Sequence, residues 1–348
     1  MHRLTPSGRV ALAYAQVILA GSLWATSGPI SVALFRLGIP PTSVAILRPA
    51  AGVLFLVAIL AILGIRRRNH RKRAVGSPQQ SQLPVEAAAG PPVADSGQGP
   101  APLGGDPETP GAARRDLAGM ILLGGVIVGI FQVAYQMSTE AVGVPATVAL
   151  LYLAPAMVVA ASARLFGERV TPAKAALAGL SVVGVWLTVL GTRGVDLELT
   201  LGGVVWGCLS GVAYAGYTLF GKWYGRRHGP VLPLFWSTLA GTVFLGAVWI
   251  LRGVEVVLPT TLTQIVLVLL LGLVTIALAA LLLFNAMRTL EAGRASIGTT
   301  VEPLMAALLA WLFLGQVLTP WGIVGLIVLV VGVAGAYAIR APAAPRSR

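Results

Sequence analysis

The chain has 348 residues, 56% of them apolar and only 11% charged, with a mean hydropathy of +0.84. Soluble domains carry roughly a quarter charged residues, so this balance excludes a soluble globular enzyme and predicts an all-α polytopic membrane protein. The formal charge of +13 would suit a polyanionic partner only if the cations shared one solvated face; they alternate between connections instead, which excludes nucleic acid.

The basic start MHRLTPSGRV opens onto an apolar run, Ala11 to Leu34, that is long enough to cross a bilayer and is not followed by a small-residue cleavage site. We read it as a retained first span. The second runs from about Ser43 to Ile65, entered through Pro40-Pro41. From Arg66 to Arg115 the composition changes to RRRNHRKR and then a tract rich in Pro, Gly, Ala and Gln. That tract lacks the β-branched and aromatic content that offsets ordering entropy, and a disordered loop is expected.

Apolar spans resume at Leu117–Met137, Val142–Phe166, Ala173–Thr192, Gly202–Gly221, Val231–Leu251, Leu262–Met287, Ala295–Leu314 and Trp321–Ile339, giving ten transmembrane helices. Trp223, Tyr224, Trp249 and Trp321 fall near span ends, where an interfacial aromatic belt explains them. Gly203, Gly207 and Gly211, with Gly125 and Gly129, give small-residue spacings suited to close helix contact. GYTLFGK at 216–222 mimics the start of a phosphate-binding loop, but Trp223 stands where Ser or Thr would hold magnesium. Cys208 is the sole cysteine, so no intrachain disulfide exists. No cofactor or metal motif emerges.

The chain repeats itself. LAPAMVVAASARLFGERVTPAKAALAGLSVVGV (153–185) sets against VEPLMAALLAWLFLGQVLTPWGIVGLIVLVVGV (301–333), with Pro155 on Pro303, Gly167 on Gly315, Pro172 on Pro320 and Gly184 on Gly332. Earlier parts match more weakly: LAGSLWATSGPI (19–30) with LSGVAYAGYTLF (209–220), and AGVLFL (51–56) with AGTVFL (240–245). In the joints GERVTP and GQVLTP, Thr suits the N-cap and Pro the first helical position; with Glu168 they form structural repeat joints. The predicted domains are a first repeat at 1–192, a second at 202–340 and a tail at 341–348.

All but four of the 25 Lys and Arg residues fall on alternate connections and the two tails, the exceptions being Arg36, Arg48, Arg193 and Arg252. The positive-inside rule then makes both termini cytoplasmic. Five spans per repeat, an odd number, insert the copies oppositely, and the joints agree: GERVTPAK carries Arg169 and Lys174 where GQVLTPWG has no cation. Inverted repeats of this kind are a plan of secondary transporters that expose a midplane site alternately.

The two halves, each with its Pro, then Gly-Glu or Gly-Gln, then Thr-Pro and a Gly-rich closing helix, resemble the paired EamA domains of the drug/metabolite transporter superfamily. The likeness covers nearly the whole chain except the loop at about 66–115, longer than the family's usual second connection. It implies a multi-pass carrier of the bacterial inner membrane, often an exporter of small metabolites.

Site candidates are polar groups that are costly within a bilayer. Glu302 leads, an ionisable group inside the ninth span, just before Pro303, with Ala154 as its counterpart; a Glu-Pro step there also resembles the second repeat of many family members. Arg48 lies about five residues into the second span, where it either faces a cavity, binding an anion or pairing with Glu302, or snorkels to the outer interface. Trp24 and Tyr214 occupy matching positions, and Tyr152 sits midway along the fourth span; their polar-edged rings suit a flat or amphiphilic solute, against a reading as ordinary packing. Gln132, Gln136, Asn285, Thr299 and Thr300 are further lining candidates. The function expected is proton-coupled secondary transport of a small molecule by a monomer or homodimer in the lipid bilayer, without cofactor. A non-transporting sensor or assembly subunit is the alternative. An intramembrane enzyme fits less well, since no His or Asp falls in a span.

Overall fold

The computed structural model describes residues 6–75, 110–191, 200–314 and 319–338. Its described elements are all helical: α1 (Pro6–Ala25), α2 (Ser27–Arg36), α3 (Pro41–Val75), α4 (Pro110–Leu151), α5 (Ala154–Phe166), α6 (Pro172–Leu190), α7 (Leu201–His228), α8 (Val231–Leu251), α9 (Leu262–Leu271), a π-helical stretch (Gly272–Leu278), α10 (Ala279–Ala286), α11 (Ala292–Thr299), α12 (Val301–Leu314) and α13 (Pro320–Ala338). Seven stretches are long and apolar enough to cross a membrane, and Pro172–Thr188 and Pro320–Gly335 are shorter apolar helices. Leu54, Leu122, Leu201, Leu251 and Leu262 are exposed on the outside of the bundle, a surface that fits lipid rather than water. The chain is a multi-pass membrane protein.

Several predicted spans are divided. The first breaks at Thr26, whose hydroxyl bonds back to Leu23 O. The fourth breaks at Tyr152–Leu153 and the ninth at Thr300, in each case just before a proline, Pro155 or Pro303, that cannot donate to the preceding turn. Under the 148-residue offset Tyr152 falls on Thr300, so the breaks are equivalent. The eighth is interrupted by the π-helical stretch. The expected loop at 66–115 also narrows: α3 runs on through the basic octet to Val75, and α4 starts at Pro110. The Arg, Lys and Ala at these ends are good helix formers that simply extend the register.

Within the range of α4, Thr147 donates to Ser138 Oγ at 2.9 Å. Nine residues along a straight helix are about 13 Å apart, so the chain reverses between them, where the sequence predicts a connection. The two joints form as their chemistry dictates. Gly167 closes α5 with φ +64°, Thr171 Oγ1 accepts from Lys174 N at 3.2 Å at the start of α6, and Thr319 Oγ1 accepts from Gly322 N at 3.3 Å at the start of α13. Gly315 and the tail at 341–348 lie outside the described residues.

Packing follows the internal repeat. A side chain at Gly184 would meet Leu329 N at 2.7 Å and one at Gly332 would meet Ser181 Oγ at 2.6 Å. These are one contact written twice, since 181 and 329, like 184 and 332, are equivalent positions. Gly191 likewise abuts Gly322. Contacts that climb α6 from 181 to 191 descend α13 from 332 to 322, so the two helices run antiparallel. Similarly, Gly52 of α3 packs on Ile276 as Gly241 of α8 packs on Val128. Gly21 of α1 meets Thr299 O at the break between α11 and α12, and Gly211 of α7 meets Leu150 O at the break between α4 and α5.

Candidate functional site

The two helix breaks bring polar groups into the middle of the bundle. Tyr152, freed from regular helix by the break, donates its hydroxyl to Glu302 Oε2 at 2.6 Å. Glu302 occupies the first turn of α12, where the carboxylate meets the positive end of the helix dipole. Arg48 of α3 reaches the same region from the other side, within electrostatic range of Glu302, Tyr135 and Tyr217. Its Nε donates to Thr275 Oγ1 at 2.9 Å, so the guanidinium is held inside the bundle and the snorkelling alternative is not adopted.

Thr275 belongs to the π-helical stretch, and its carbonyl accepts from Trp24 Nε1 at 2.6 Å. A π turn misaligns the regular ladder, and the indole satisfies the carbonyl from a neighbouring helix. Trp24 in turn meets Tyr214 edge-on, centroids 6.1 Å apart, and Tyr214 lies 6.1 Å from Phe131 of α4. Trp24, Arg48, Tyr152, Tyr214 and Glu302 therefore converge, drawn from both halves of the chain. The Tyr214 hydroxyl is buried beside Thr299. The hydroxyl of Thr299, its neighbour, is committed to Ser296 O at 2.8 Å.

The other candidates are placed differently. Thr299 and Thr300 turn their hydroxyls back to Ser296 O and Ile297 O, where they help to end α11. Gln132 is buried on α4, one turn from Tyr135; the side chain of Gln136 lies outside the described residues. Asn285 is not part of the cluster: it donates to Gln16 Oε1 at 3.2 Å and lines a separate cavity. Trp249 and Tyr224 do not face outward as belt residues would. Both are buried, with Trp249 Nε1 donating to Thr42 O at 3.0 Å. Trp321 is exposed, as an interfacial residue would be.

A second polar system closes the basic end of the bundle. Glu168, assigned above to a joint, accepts from Ala292 N at 2.8 Å and so caps the start of α11 in the other half. Lys222 donates to Leu290 O and lies 3.8 Å from Glu168. Lys174 pairs with Glu291 at 2.7 Å, Arg294 binds the same carboxylate at 3.0 Å, and Arg294 Nη1 also reaches Tyr14 Oη at 3.1 Å. Burial disfavours ionised Glu291, but the hydrogen bonds and charges of Lys174 and Arg294 outweigh it and hold the carboxyl below its ordinary value. Thr275, Tyr135, Tyr217 and this network escape sequence reading, because single Thr and Tyr residues in apolar runs look like packing. Among the described residues no group of three or more His, Cys, Asp or Glu side chains could hold a metal.

Residues 201–338 match the EamA-like transporter family. An uncharacterized transporter of Archaeoglobus fulgidus is 29% identical over 223 residues, covering 64% of this chain and 76% of its own length. Another, from Synechocystis, is 27% identical over 121 residues, 35% of this chain and 36% of that protein. A solved crystal structure superposes with a TM-score of 0.66 at 18% identity, covering 94% of this chain and 96% of the other, which is a likeness of fold. Residues 201–338 thus match the EamA-like transporter family, and the chain as a whole is a multi-pass membrane protein similar to transporters.

Proposed function

We propose that the chain is a secondary carrier that moves a small solute across the bacterial inner membrane by alternating access, in the direction of export. In this reading ten spans form two inverted five-helix repeats, 1–192 and 202–340, with α6, α11–α12 and α13 counted as spans and both termini cytoplasmic. Support comes from the equivalent breaks at Tyr152 and Thr300, the antiparallel register of α6 and α13, and the crossed contacts of Gly21 and Gly211. A midplane site between inverted repeats, made where helices are discontinuous, is the arrangement of such carriers.

The observation that carries the proposal is the Tyr152–Glu302 hydrogen bond joining the two breaks, with Arg48 and Trp24 held beside it through Thr275. A carboxylate inside a bilayer costs several kcal/mol unless partnered or neutralised. Glu302 is the proton-exchanging group, and Trp24 and Tyr214 bound the solute. The chain works as a monomer or homodimer, without cofactor, as a carrier and not as an enzyme.

Metabolite and toxicant profiles of cells lacking and overproducing the protein identify the solute, whose transport is then measured in proteoliposomes. The Glu302→Gln variant is expected to lose acceleration by an imposed proton gradient. Equal gradient dependence in the two proteins would sink the coupling; absence of any solute flux in the wild-type protein would sink the carrier reading itself.

A further inference from the structure

A cavity of about 360 Å³ at the basic end, away from the Glu302 cluster, is lined by Arg9 and Gln16 of α1, Arg226 of α7, Asn285 of α10, and Arg288 and Thr289 just beyond it. Three arginines from three separate segments thus line one space. None of them makes an ion pair among the described residues: Asp116 is engaged by Arg227 and His228, Glu291 by Lys174 and Arg294, and Glu168 lies beside Lys222. No acidic side chain lines the cavity. Cations that serve only to anchor helix ends diverge towards the headgroups. Here Arg9, Arg226 and Arg288 are exposed around one open cavity, and the amide groups of Gln16 and Asn285 are already tied to each other at its wall.

We infer that this cavity is an anion site for a phosphate-bearing ligand. Guanidinium groups donate in a fixed fork that matches phosphate oxygens, and three arranged around one space suit a tetrahedral group better than a planar carboxylate, which one or two would satisfy. Thr289 adds a neutral donor, and the volume is that of a small ligand site. The phosphate belongs either to a soluble compound entering from the aqueous side or to an anionic lipid, since Leu12, also at the cavity, is exposed on the outer surface of α1. The site does not rest on the chemistry assigned to Glu302, and binding can be measured without transport.

The full chain, purified in neutral detergent, is titrated with inorganic phosphate at constant ionic strength. In parallel it is reconstituted in vesicles of phosphatidylcholine with and without phosphatidylglycerol, and thermal unfolding is followed in each. A saturable rise in the unfolding midpoint is expected. The concentration giving half the effect should increase roughly tenfold for Arg226→Gln or Arg288→Gln, increase by less for Arg288→Lys, which keeps the charge and loses the fork, and not change for Arg252→Gln, a cation outside the cavity. A response to inorganic phosphate assigns a soluble anion, and one to phosphatidylglycerol alone assigns a lipid headgroup. A wild-type protein indifferent to both, or equal responses in all variants, would overturn the site. Should a Gln variant fail to fold, Arg9→Gln provides the same comparison.

Discussion

At the scale of single residues, the chemistry lies where the two halves differ. Glu302 has Ala154 as its counterpart, and by the same registers Arg48 falls on Ser237 and Thr275 on Ile127. Tyr152→Phe removes only the hydroxyl that donates to Glu302; it should lower stability by about 1–2 kcal/mol, read from unfolding in detergent, while leaving the helix break unchanged. Thr275→Val should cost about 1–3 kcal/mol, because Arg48 loses its acceptor while the backbone carbonyl taken by Trp24 remains. Glu302, Arg48, Trp24, Tyr152 and Tyr214 could be picked out of the sequence because charge and ring polarity are anomalous in an apolar run. Their hydrogen bonds could not, since Tyr152–Glu302 and Trp24–Thr275 join positions 150 and 251 residues apart and no periodicity encodes them.

At the scale of elements, most of what pattern reading supplied concerns boundaries. The Thr-Pro starts of α6 and α13 were legible because capping is a local interaction. The π-helical stretch was not, because GLVTIAL reads as any apolar helix. Glu168 illustrates the same limit: its place in a joint was plain, but the α11 backbone it caps lies 124 residues away. Glycines on α7 give a direct test of packing. A methyl group at Gly211 would sit 3.0 Å from Leu150 O, whereas at Gly216 the nearest atom, of Ile127, is 3.7 Å away. Gly211→Ala should therefore destabilise by about 1–3 kcal/mol and Gly216→Ala should be neutral or stabilising by up to about 1 kcal/mol, as measured by thermal unfolding of the two variants.

The network at the basic end has its own pH signature. The Glu291 carboxyl is depressed in the folded chain, so its contribution is complete above the ordinary carboxylate value near 4.3 and is lost as pH falls through the lowered one. Glu291→Gln should lower the unfolding midpoint at neutral pH, and the gap to wild type should close on acidification below about pH 4. A gap independent of pH would show that the pair with Lys174 contributes nothing.

At the scale of the whole molecule, the seam between α6 and α13 bears on the energetics of switching. Its contacts are matched pairwise about a two-fold relation, and under the proposed alternating access the two halves would exchange conformations. Such an exchange maps the seam onto itself. In that cycle the same contacts would be kept in both end states, so the seam would supply cohesion but no preference between them. The preference would then come from groups whose counterparts differ in charge, chiefly Glu168, set against Gln316, and Lys174, set against Gly322. Weakening the seam should lower stability and leave the resting state in place; removing the Glu168 cap should open the basic end without comparable loss of stability. In the language of machines, the proposed cycle would make α6 and α13 the bearing and leave the bias of the switch to a few charges at one rim.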